Sequence, residues 1–138
     1  MHAPLSSRRS NVTVTVNVTA VETVQEGRLR LAVLLDLIDD RLEVAAPVGA
    51  HLSRLRMEYE RHARHQERVL AHHRPHLVDG HRRAHDHMRA LLGRLGAEHA
   101  CGGDIRPTLR QVVEVFAGHL FPADAVFTTI EETTSRPA

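Results

Sequence analysis

The chain contains no lysine and no tryptophan, and only one cysteine, one tyrosine and three phenylalanines among its 138 residues. Each shortage narrows what the protein can be. With Cys101 alone, beside Gly102 and Gly103 in what reads as a loop, there is neither a disulfide framework nor a thiolate zinc site, so the default setting is reducing and cytoplasmic. The near absence of aromatics removes the stacking platforms on which single-stranded nucleic acid is held. Stretches such as HLSRLRMEYERHARHQER, with glutamates among the arginines, therefore read as a solvated helix face, and no nucleic-acid partner is expected. No apolar run approaches the ~18 residues of a membrane span, and MHAPLSSRRS leads into polar alternation rather than a signal segment, so no membrane partner is expected either. A formal net charge of +1 implies no general polyanion-binding surface.

What the chain does have is histidine, twelve in all, most of them between His62 and His87. Histidine is the commonest metal ligand and the side chain that titrates near neutral pH. The length suits one domain with a core of its own.

The N-terminal NVTVTVNVTAV alternates strictly, with Val12, Val14, Val16 and Val18 on one side and Thr13, Thr15, Asn17 and Thr19 on the other. That is the period of a half-buried strand. One strand makes no sheet, so residues 1–23 are expected to pack on the domain as an extended arm or to self-associate with a second chain. The Asn-Val-Thr sequons at Asn11 and Asn17 would matter only in a secreted glycoprotein.

Four helical stretches follow. The first covers about residues 25–44, with Leu31, Leu35, Ile38 and Leu42 in a stripe, and the second about 47–73, opened by Pro47 and closed by Arg74-Pro75. The third has Asp79 as N-cap and ends near Gly96; after a Gly102-Gly103-Asp104 turn, the fourth runs from Pro107 to about Phe127. Short connections between amphipathic helices predict an all-α fold, an antiparallel up-down four-helix bundle over residues 24–128, with the arm before it and a frayed tail at 129–138.

At about 100° per residue, His81 and His85 share the apolar stripe of Met88, Leu92 and Leu95, while His87 points away. On the second helix His62 and Gln66 align with Leu55, Tyr59 and Val69, and Glu67 is expected to point outward. On the fourth, His119 aligns with Val112, Val115 and Phe116. Each such histidine could be a buried, hydrogen-bonded structural residue. Burying several is costly unless each finds partners, and a metal would satisfy them together.

This spacing resembles that of the hemerythrin family, four-helix bundles that hold a non-haem di-iron centre. The family pattern places a histidine in the first helix, His-x-x-x-Glu in the second, His-x-x-x-His in the third and His-x-x-x-x-Asp in the fourth. Here HARHQ begins at His62, HRRAH supplies His81 and His85, and HLFPAD supplies His119 and Asp124, a match over most of the chain. The resemblance implies that His81, His85 and His119 hold one iron, that Asp124 bridges, and that His62 serves a second iron. It also implies oxygen binding, oxygen or redox sensing, or iron handling, in a bacterial-type protein with dioxygen or another small molecule as ligand.

Two positions depart from the pattern. Gln66 stands where the family has its bridging glutamate, and a neutral amide is a poor ligand for a hard cation. Arg28 stands where the first helix has histidine, and a guanidinium has no lone pair to offer. Three outcomes stay open: one metal on His81, His85 and His119, with Arg28 filling the second position and pairing with Asp124; no metal; or a weak second site through His62 and Asp124. Iron, as one or two ions, is the implied cofactor, with zinc or manganese as substitutes. No nucleophile or substrate pocket accompanies these residues, so an enzyme is not expected. Pro122 is expected to kink the fourth helix between His119 and Asp124. A metal-free helical interaction module is the alternative reading.

Overall fold

A computed structural model describes residues 23–120 and 125–135, apart from the side chains at 119, 120, 134 and 135. The expected arm at residues 1–22 and the ligand Asp124 therefore lie outside the described residues. Among those described, the chain is all-helical: α1 Val24–Glu43, α2 Gly49–His73, α3 Val78–Ala100, α4 Arg106–Val115 and α5 Ala125–Ser135, with a 3-10 turn at Pro75–Leu77 before α3 and a π-helical turn at Phe116–Leu120 after α4. No described helix is long and apolar enough to cross a membrane.

Local chemistry sets the helix ends. The Thr23 hydroxyl accepts the Glu26 N–H at 3.0 Å, an N-cap that satisfies one of the four unpaired donors of α1. At the other end the Ala46 and Ala45 N–H groups donate to the Arg41 and Leu42 carbonyls, closing a Schellman motif with Ala45 at φ 54°. α3 ends the same way, through Gly103 to Glu98 and Gly102 to His99, but here the left-handed residue is Gly102 at φ 75°. This turn, and not Gly96, stops α3, which runs on to Ala100. Asp79 is not the N-cap of α3 either: Leu77 holds that position because the 3-10 turn leads straight into the helix, and Asp79 sits in the first turn, where its charge favours the helix dipole. The Asp104 carboxylate accepts the Arg106 N–H at 3.1 Å where α4 begins.

The fourth helix departs most from expectation. Within the described residues α4 gives way to a π turn at Phe116–Leu120, a form compatible with the Gly118 carbonyl lacking the N–H that a residue other than proline at 122 would offer, while the expected kink at Pro122 lies outside the described residues. The stretch expected to fray begins at residue 129, yet α5 is helical through Ser135.

Two apolar clusters result. The larger unites Leu31, Leu35 and Ile38 of α1, Leu52, Leu55 and Tyr59 of α2, Met88, Leu92 and Leu95 of α3, and Leu109 and Val112 of α4, so the first four helices share one core. Leu42 packs on its edge. The smaller joins Val24, Leu70, Phe127 and Ile130, and so fastens α5 to the start of α1 and the end of α2.

The matched C-caps give a direct test. A non-glycine residue in the left-handed region costs roughly 1 kcal/mol, so Ala45→Gly should raise stability by about 0.5–1 kcal/mol and Gly102→Ala should lower it by a similar amount, read from urea midpoints.

Candidate functional site

The inward histidines lie between the two clusters, where the middle of α2 meets the first half of α3. His85 is wholly buried. Its Nδ1 lies 2.8 Å from the Glu67 carboxylate and its Nε2 2.7 Å from the Gln66 amide. A carboxylate only accepts, so Nδ1 carries the proton and donates to Glu67. The atom placed nearest Nε2 is Gln66 Oε1, but a neutral ring with its proton on Nδ1 has only a lone pair there, so we assign the two ends of the amide the other way round, with the Gln66 NH2 group donating to Nε2. Burial pushes the His85 imidazole below its ordinary value, against the opposing pull of Glu67, so the ring is neutral at pH 7.

The expectation that Glu67 points outward is corrected. A 100° step from Gln66 carries it to the flank of α2, and that flank is the one α3 packs against. Glu67 is held there by three groups: His85, Arg89 Nη2 at 3.1 Å and Arg82 Nε at 3.5 Å. Burial raises its carboxyl, but the His85 hydrogen bond and the Arg89 charge outweigh that and hold it below the usual range. Arg89 also donates to both oxygens of Glu60 and, at 2.8 Å, to Asp86, and its bond to Glu60 is the main reason the Glu60 carboxyl is lowered. Sequence reasoning missed Glu60, Glu67 and Arg89. Their spacing carried a signal: Glu60 and Glu67 are two turns apart on one face of α2, and Arg89 is one turn beyond His85 on α3.

His62 is buried, and its ring lies against the α1 backbone at Gly27, where a Cβ would come 2.6 Å from Nδ1. Glycine is needed here for close approach, since any side chain would displace the ring. Burial, then the charges of His85, His65 and Arg28, push His62 down to about 4. His81 is half-buried, its ring edge-on to His85 at 6.0 Å between centroids and to Phe127 at 5.5 Å. Gln66 is buried, as its place in the core-facing stripe implied. Arg28 is half-buried, with its charge felt at both His62 and Glu131. Glu131 of α5 accepts the Val24 N–H, and burial raises its carboxyl. His119 lies in the π turn, its side chain outside the described residues, and the expected pairing of Arg28 with Asp124 falls outside them too.

The structure thus gathers His62, Gln66, His81 and His85 at one level. Two imidazoles on one tetrahedral ion, with ligand bonds near 2.1 Å, have ring centres about 5.3 Å apart, so His81 and His85, at 6.0 Å, stand slightly wider than a shared ion would hold them. Among the described residues, no three histidine, cysteine or carboxylate side chains converge as a ready metal site. No family model, no curated protein and no solved structure matches this chain.

Two measurements test this geometry. Gly27→Ala should destabilise the fold by about 1–3 kcal/mol through overpacking against His62, and Gly27→Ala/His62→Ala should lose less than the two single changes summed. His62 has a lower folded than unfolded pKa, so its contribution is fully present above pH 6.5 and is lost as pH falls through 4. In metal-free protein this is on the order of 3 kcal/mol, and His62→Asn should flatten the decline of the urea midpoint between about pH 7 and pH 5.

Proposed function

We propose that this chain is a hemerythrin-like metal-binding protein, an antiparallel up-down bundle of α1 to α4 that binds one metal ion through His81, His85 and His119. The antiparallel arrangement is supported by the short connections at 44–48 and 101–105, by the packing of each of these helices on the next, and by their common core. One observation carries the metal reading: the bond from His85 to Glu67. Histidines that bind metals characteristically donate their other ring N–H to a carboxylate, which fixes the tautomer and aims the free nitrogen. Glu67 does this to Nε2 of His85, and Arg89 keeps Glu67 ionised. The bound ion would supply a Lewis-acidic centre for a small ligand such as dioxygen.

Iron fits three imidazoles, and zinc or manganese are the competing occupants. A second ion is disfavoured because Gln66 brings no negative charge and Arg28 adds a positive one beside His62. Binding of dioxygen in the di-iron manner needs an electron from each of two irons, so a mononuclear site suits sensing or metal handling better than carriage.

The metal-free interaction module is the second reading. It is favoured by the contact of Gln66 with Nε2, which completes the hydrogen bonding of His85 without any ion.

Elemental analysis of untagged protein, with melting curves before and after chelation, separates the two. Near one metal per chain is expected, lost in His81→Ala, His85→Ala and His119→Ala, retained in His65→Ala, with a melting temperature that drops on chelation. No metal after reconstitution and an unchanged melting temperature would establish the module; two irons per chain would overturn the role given to Arg28.

A further inference from the structure

α1 carries an apolar stripe on its outer side as well as its inner one. Leu29, Val33 and Leu37 recur every fourth residue and are 59%, 66% and 42% exposed. Beside them runs a groove of about 350 Å³ between α1 and α2, walled by Val33, Leu34, Leu37 and Ala50 and rimmed by Arg54 and Glu58. Three large aliphatic side chains in one exposed row, next to an open groove, call for a cover.

The chain itself supplies a candidate of matching pattern. Residues 1–22 join the domain at Thr23, the N-cap of this same helix, and include Val12, Val14, Val16 and Val18 on one side of an alternating run. Among the described residues there is no strand with which such a run could pair. Every second residue of an extended chain advances about 6.6 Å, and every fourth residue of a helix about 6 Å, so an arm laid along α1 stays in step over three contacts. Reach agrees as well. Leu29 is about 9 Å along the axis from Thr23, and the five bonds from Val18 to Thr23 span up to about 17 Å, enough to reverse direction and meet the stripe.

We propose that the N-terminal segment folds back antiparallel to α1, with Val18 on Leu29, Val16 on Val33 and Val14 on Leu37, while Thr13, Thr15, Asn17 and Thr19 face water. The seat is independent of the metal reading.

The test uses full-length protein carrying Cys101→Ser, with three facing pairs, Val18→Cys/Leu29→Cys, Val16→Cys/Val33→Cys and Val14→Cys/Leu37→Cys, and one control, Thr15→Cys/Val33→Cys. All changed sites on α1 are exposed, and circular dichroism checks that helicity is retained. Under mild oxidation at low protein concentration, facing pairs should close an internal disulfide about tenfold faster than the control, seen by intact mass and on non-reducing gels. Covalent dimers as the main product would place the arm on a second copy and overturn the proposal. Equal rates for facing and control pairs, or no closure in any pair, would overturn it too.

Discussion

The contact between Glu67 and His85 is the constraint around which the polar interior is arranged. A wholly buried imidazole with both nitrogens unsatisfied would cost several kcal/mol, and one satisfied nitrogen leaves the other to be dealt with. Glu67 fixes the proton on Nδ1, and that choice determines what Nε2 can accept. Arg89 in turn keeps Glu67 ionised while sharing itself with Glu60 and Asp86. These pairs are partly exposed, so each contributes only modestly to stability. Their main consequence is geometric: they lock the orientation of a ring that the apolar core around it could not orient.

Placing this network between two apolar clusters makes the outer end of the molecule as important as its core. α5 closes the histidine level from outside, with Phe127 against the His81 ring and Glu131 at the head of α1. Glu131 sits where the positive end of the α1 dipole and Arg28 both favour a carboxylate, although burial opposes its ionisation. In that same first turn of α1, Gly27 allows His62 to lie on backbone. The site is thus bounded by residues from four helices, and two of the groups that lie against His62 and His81, Gly27 and Phe127, carry no polar side chain.

The helical class, the first two helices and the inward set of His62, Gln66 and His85 are legible in the sequence because burial imposes a period that composition does not blur. Ends are legible only where a residue type forces them. Gly102 stops α3 because its left-handed conformation is cheap for glycine, whereas Gly96 passes through the helix unnoticed, and Ala45 adopts the same conformation against its own preference. Glu67 is misjudged because a projection around one helix marks what faces the core, and says nothing of the flank where a neighbouring helix packs. The π turn at Phe116–Leu120 is not legible in the sequence, and the kink expected at Pro122 lies outside the described residues. A π turn and a docked α5 depend on Phe127 and Ile130 finding Val24 and Leu70, contacts distant in sequence.

Gln66 is the residue on which the two functional readings turn. As a hydrogen-bond partner it contributes on the order of 1 kcal/mol net, and an amide side chain can swing aside for little more than that. Complete structural zinc sites contribute about 10 kcal/mol or more, so on the metal reading the Gln66 contact would be a small term against an ion at Nε2. What Gln66 withholds is charge. A carboxylate at this position would sit beside His85 and His62 and offset a divalent cation; a neutral amide leaves that role to carboxylates farther away, and Arg28 works against it. On the metal reading, one ion among neutral imidazoles would be less opposed by this field than a second ion, which would need a bridging anion. Gln66 therefore keeps His85 satisfied without an ion and, on the metal reading, would limit how much positive charge the site could hold.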